Sequence, residues 1–162
     1  MTSPRSALTR EVVVLARGLW YNAGMADPTD PTEIVRSSMP LCATLGVTAS
    51  RFDEEGAVLH LDWRPELCTT GGLLHGGAVM ALADSAGACV AFLNLPEGAA
   101  GTATISSATS FLGAVREGAV TASASLLHRG GSTIAVETKV TDANGKLVAK
   151  VTQTQAVLRP RA

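Results

Sequence analysis

Two features of one stretch could do chemistry. The run Thr69-Thr70-Gly71-Gly72-Leu73-Leu74-His75-Gly76-Gly77 leads into Ala78 to Leu93, and from Leu73 to Leu93 Asp84 is the only carboxylate or basic charge. A lone ionised carboxylate among apolar residues costs on the order of several kcal/mol unless its neighbours satisfy it. Asp84 is therefore either a packing residue with a partner or a reacting group. Gly76-Gly77 stands where the helix should begin. The first amides of a helix have no internal acceptor and carry the positive end of its dipole, so they polarise an oxygen placed against them. Glycine there lets a ligand oxygen reach the backbone unobstructed. One element thus offers an oxyanion donor and a carboxylate.

Their spacing constrains how they can work together. Gly76 and Asp84 are eight positions apart, about 12 Å along a helix axis. A donor and a base acting on one carbonyl must each come within about 3 Å of their targets. Within one helix they cannot serve the same carbonyl, so if both act, Gly76 of one chain faces Asp84 of another. The expected site lies between subunits.

The elements that position these groups can be read from pattern and punctuation. Residues 73–93 are apolar on every face, which predicts a helix wrapped by other structure; the run is short for a membrane span and carries Asp84 in its middle. Before it, Ile34, Val35, Met39, Leu41 and Leu45 have helical spacing that Pro40 should kink or restart, and Gly46 closes. Val47 to Asp53 and Ala57 to Trp63 read as a hairpin through Glu54-Glu55-Gly56. After the breaker Asn94 to Gly98, four strands follow: Thr102 to Leu112, Gly118 to His128, Thr133 to Thr141 and Leu147 to Leu158. Gly130-Gly131 and Asn144-Gly145 mark their turns, the latter a strong short-hairpin signal. One all-apolar helix followed by antiparallel strands predicts an α+β fold, a sheet curled about the helix. Its edges need covering, which pairing with a second copy would do. Residues 1–30 read as an N-terminal extension and 31–162 as a single domain, with no secretory signal.

The whole chain narrows the function classes. Its 162 residues, 46% apolar, suffice for one core. A net charge of −1 and no basic stripe argue against nucleic acid. Cys42, Cys68 and Cys89, with three scattered histidines, have no metal-ligand spacing. Reduced thiols in a cytoplasmic protein are the expected state. His60, between Leu59 and Leu61, reads as a surface or inter-strand histidine rather than a ligand.

The run Leu74-His75-Gly76-Gly77 with Asp84 beyond it resembles the hot-dog-fold acyl-CoA thioesterases, particularly the phenylacetate-pathway and hydroxybenzoyl-CoA types, over roughly Met39 to Leu158. The resemblance implies a hot-dog fold, a homodimer or dimer of dimers, and no cofactor beyond the coenzyme A of the substrate. It implies that Gly76 donates its amide to the thioester oxygen while Asp84 of the opposing subunit is general base or nucleophile. Where the family has Asn or Gln six positions before the histidine, this chain has Thr69, which offers a hydroxyl on a shorter stem. A family hydroxyl on the strand after the helix falls at Thr104, with Ser106 and Ser107 close by. His75 and Gly77 would shape the substrate loop. Coenzyme A phosphates need cations, for which Arg116, Arg129 and Lys146 are candidates near turns, Arg129 the best because it precedes Gly130-Gly131; Ala88, Cys89 and Phe92 would line the acyl pocket. Solvated turn arginines are the plainer reading.

Two rivals remain at the level of sequence. The same fold could hold acyl-CoA without chemistry, as a sensor or carrier. A hot-dog hydratase would place a histidine five residues after the acid, where this chain has Cys89. A thioesterase releases free thiol from a panel of acyl-CoAs, followed with a thiol reagent; a carrier binds them and releases none.

Overall fold

A computed structural model describes residues 30–160. Apart from Asp30, the 1–30 extension lies outside the described residues. Asp30 opens helix α1 (Pro31–Ser38), its carboxylate accepting the Thr32 amide at 2.9 Å, the usual way an N-cap satisfies an orphan donor. Met39 breaks the helix and Pro40 starts α2 (Pro40–Leu45), as the proline predicts. Gly46 ends it at φ 75°, a left-handed conformation that suits glycine.

Six strands follow in two groups around α3 (Gly76–Leu93): β1 (Thr48–Asp53), β2 (Gly56–Asp62), then β3 (Gly101–Phe111), β4 (Ala119–Arg129), β5 (Thr133–Thr141) and β6 (Leu147–Leu158). They form one sheet in the order β1-β2-β4-β5-β6-β3, every neighbouring pair antiparallel. The β5–β6 hairpin forms where Asn144-Gly145 marks it, but its loop is longer than a two-residue turn. The Asp142 carboxylate accepts the amides of Asn144 and Lys146, and Gly145 sits at φ 79°. A side chain mimicking a turn wins over the tighter Asn-Gly geometry. His60 lies between strands as expected, contacting Ser50 and Thr121.

Helix α3 packs across the sheet and touches every strand. Strand alternation supplies the facing core: Ala57, Leu59 and Leu61 from β2, Val120, Ala122 and Ala124 from β4, Ile134, Val136 and Val140 from β5, as a period of two requires. Leu82, Ala83, Ala86, Val90 and Ala91 meet them, all fully buried.

A single chain does not wrap the helix on every face. Gly77, Met80, Ala81, Asp84 and Ala88, spaced three or four apart and hence on one side, are half-buried or exposed, Met80 at 40%. One sheet covers only one side of a rod, so a single chain leaves this stripe open. The free edge of β3 is open as well: eleven residues with no charge and no proline, and no partner beyond β6 among the described residues. Long uncharged edges of this kind are templates for pairing with another chain.

Cys42 and Cys89 are buried, with Cys42 Sγ 3.3 Å from Ser85 Oγ, and Cys68 is half-buried. Burial, with Cys42 alongside, pushes the Cys89 thiol up to about 12, so at neutral pH it is an inert core group. The placement of Leu82 predicts a loss of about 2–5 kcal/mol for Leu82→Ala in urea unfolding. Leu127→Ala, at an exposed bulge, should stay within about 0.5 kcal/mol.

Candidate active site

The loop before α3 is pinned from several sides. Gly71 and Gly72 both take positive φ (83° and 71°), letting the chain double back so that Thr69 N–H reaches Leu73 O at 2.8 Å and Cys68 pairs with Leu74. Trp63 Nε1 and Arg116 Nη1 donate to the carbonyls of Gly72 and Gly71, each at 3.1 Å. Leu74 N–H is bound to Val115 O and His75 N–H to Leu67 O. The helix start is therefore held in a fixed direction.

At that start the amides are unequally used. His75 is the N-cap: its Nδ1 accepts the Gly77 amide at 2.8 Å, and its carbonyl takes those of Ala78 and Val79. Only the Gly76 amide of the first turn finds no acceptor among the described residues. The histidine before the glycine pair thus shapes the loop and occupies Gly77, leaving one polarised N–H. A side chain at 76 would be tight, since a Cβ there would lie 3.1 Å from the Phe111 ring.

Two turns further on, Asp84 is half-buried on the open stripe of α3. Thr104 Oγ1 donates to Asp84 Oδ1 at 3.2 Å, and Gln153 Nε2 donates to the same oxygen. Thr104 can give its proton to Asp84 because its own oxygen accepts from Gln155 Nε2 at 3.0 Å. Both bonds fall on Oδ1, and Oδ2 has no partner among the described residues. Thr104 is registered opposite Gln155 on β6, just before a β3 bulge at Ile105, and so stands on the same face as that glutamine. Ser106 and Ser107 make no side-chain hydrogen bond among the described residues.

Gln153 and Gln155 were not singled out from the sequence. Both are fully buried on β6, on the face that carries Val151. The signal that could have found them is polar residues in phase with a buried valine. Gln153 has a cost attached: its Oε1 is buried with no partner among the described residues, worth about 1–3 kcal/mol. That oxygen lies where a Cβ on Gly87 would stand, 1.7 Å away.

The remaining candidates are spread out. Thr69 is exposed in the pinned loop, near the Gly76 end. Arg116 lies at that same end, whereas Arg129 Nη2 donates to Leu95 O beyond the far end of α3, so within one chain the two arginines cannot share one phosphate. Of the three residues expected to line an acyl pocket, Ala88 and Phe92 are partly open, but Cys89 turns into the core beside Cys42.

The thioesterase superfamily model matches residues 71–149. A Saccharolobus solfataricus protein named as an esterase is 29% identical over 138 residues, covering 85% of this chain and 97% of that one. The solved structure of a Mycobacterium tuberculosis protein named as an esterase superposes with a TM-score of 0.73 at 27% identity, covering 76% of this chain and 100% of that one. A Haemophilus influenzae thioesterase gives 0.73 at 25% identity, covering 82% and 93%.

Gly76 is the first helical residue, where proline is tolerated, and His75 before it has the extended ψ of 133° that a following proline needs. Gly76→Pro therefore deletes the unpaired N–H while keeping the helix start, with a modest drop in thermal stability because the exposed Phe111 ring must shift to admit the proline Cβ. Hydrolysis should fall about 10²–10³-fold, the effect of removing one oxyanion donor elsewhere; wild-type rates in the variant would exclude that amide from the reaction.

Proposed function

We propose that this hot-dog-fold chain acts as a hydrolase of the thioesterase superfamily, cleaving acyl-CoA thioesters to a carboxylate and free coenzyme A at sites formed between paired chains. The observation that carries this reading is the division of labour along α3. One unpaired amide stands at its start. One carboxylate, with a tethered and a free oxygen, stands about 12 Å along the axis, on the stripe a single chain leaves uncovered.

Antiparallel pairing of two α3 helices would bring Gly76 of each against Asp84 of the other. A two-fold axis then passes the residue midway between them, Met80, whose 40% exposure in one chain is that of a contact awaiting a partner. Pairing of β3 edges would cover the open strand at the same time. The order of assembly is a dimer or a dimer of dimers.

In such a site the thioester oxygen accepts from the Gly76 amide, which holds the negative charge that develops as the carbonyl carbon becomes tetrahedral. Asp84 Oδ2 of the opposing chain either takes a proton from water attacking that carbon or attacks it directly, giving an anhydride that water then opens. The carbon–sulfur bond breaks and the coenzyme A sulfur leaves with a proton. Thr69, at the Gly76 end, would orient the water. Arg116 is placed to meet a coenzyme A phosphate at that end, with Arg129 serving from the partner's side. The chemistry requires no resident cofactor, and the free thiols fit a reducing cytoplasm.

Asp84→Asn keeps the shape and removes the base. It should lower turnover of acyl-CoA about 10²–10⁴-fold while the oligomer elutes unchanged from a sizing column. Near-normal hydrolysis would reject the mechanism, and tight binding of acyl-CoA without thiol release by the wild type would establish the carrier instead.

A further inference from the structure

We propose that Gln153 is a positioning residue that sets the working orientation of the Asp84 carboxylate, and that Gly87 is glycine in order to admit it. The proposal rests on the reading of Asp84 as the reacting carboxylate. A carboxylate turning about its terminal bond presents either oxygen. Here Gln153 Nε2 and Thr104 Oγ1 converge on Oδ1, which leaves Oδ2 without a partner among the described residues.

The two donors differ in stiffness. Thr104 is exposed, on the free-edge strand and next to a bulge. Gln153 is fully buried on β6, between β5 and β3. Its orientation is forced by chemistry: turned over, it would set the amide oxygen against a carboxylate oxygen, two acceptors with no proton between them. With Nε2 toward Asp84, Oε1 must point at α3, and it does so beneath Gly87, in the volume any other side chain would fill. The orphaned oxygen is the consequence. A leucine at 153 would match Val151 and remove the orphan, so an unsatisfied glutamine in this core is explained by the donor at its other end.

Gln153→Leu keeps the bulk and removes the donor. It should lower kcat about 10–100-fold, the usual effect of losing a group that orients a reacting one, with KM for the acyl-CoA unchanged and thermal stability equal or higher. Gln153→Glu puts a second carboxyl beside Asp84; two such groups share a proton, so the acidic limb of the kcat–pH profile should move to higher pH. Gly87→Ala should lower kcat in the wild type yet have no further effect once Gln153→Ala has made room. Wild-type kcat and pH profile in Gln153→Leu, or in Gln153→Glu if the leucine variant does not fold, would overturn the proposal. Asp84→Asn run alongside separates the two readings: if it is active, the role of Asp84 fails; if it is inactive while Gln153→Leu is normal, only the role of Gln153 fails.

Discussion

A carboxylate set in the middle of an apolar helix has to be held, and much of this fold's departure from a plain helix-on-sheet core follows from that need. The valine and leucine alternation of β2, β4 and β5 gives way on β6 to Gln153 and Gln155. Thr104 on β3 stands opposite Gln155 and bonds to it. On the next helical turn Gly87 yields its side-chain volume to an amide oxygen. Each feature is unfavourable or neutral for packing alone; Thr104 and Gln153 meet at one oxygen of Asp84, with Gln155 behind Thr104 and Gly87 making room for Gln153.

The frame around this cluster was legible because local chemistry and long-range packing agree there. Pro40 and Gly46 bound α2, β5 and β6 run as alternation and turn residues indicate, and α3 begins at Gly76 and ends at Leu93. The hot-dog fold read from the His-Gly-Gly run and Asp84 is the fold found. The expectation that this run is short for a membrane span does not hold, since by length and mean hydropathy α3 passes for one; its place across the sheet is what identifies it as a core helix.

What could not be read lies where tertiary geometry decides. Composition reports that α3 is apolar all round, but not that one sheet leaves the side bearing Met80 and Asp84 open. The family resemblance gave Thr104 as a candidate, yet its donation to Asp84 depends on a strand register that sets it opposite Gln155. Gln153 and Gln155 look like ordinary surface glutamines in a threonine-rich strand until the register places them inward. Cys89 stands one helical turn from the buried Ser85 and Ala86 rather than on the open stripe, so it packs beside Cys42 instead of lining a pocket.

The central claim is that the Gly76 amide and the Asp84 carboxylate act on one carbonyl from different chains. Mixing the inactive Gly76→Pro and Asp84→Asn proteins under conditions that exchange subunits tests it directly. In each mixed dimer one site would combine an intact Gly76 with an intact Asp84, and the other would carry both lesions. Random exchange should then restore about a quarter of wild-type thioester hydrolysis. A mixture whose subunits have demonstrably exchanged, yet which stays as inactive as its components, would contradict the account.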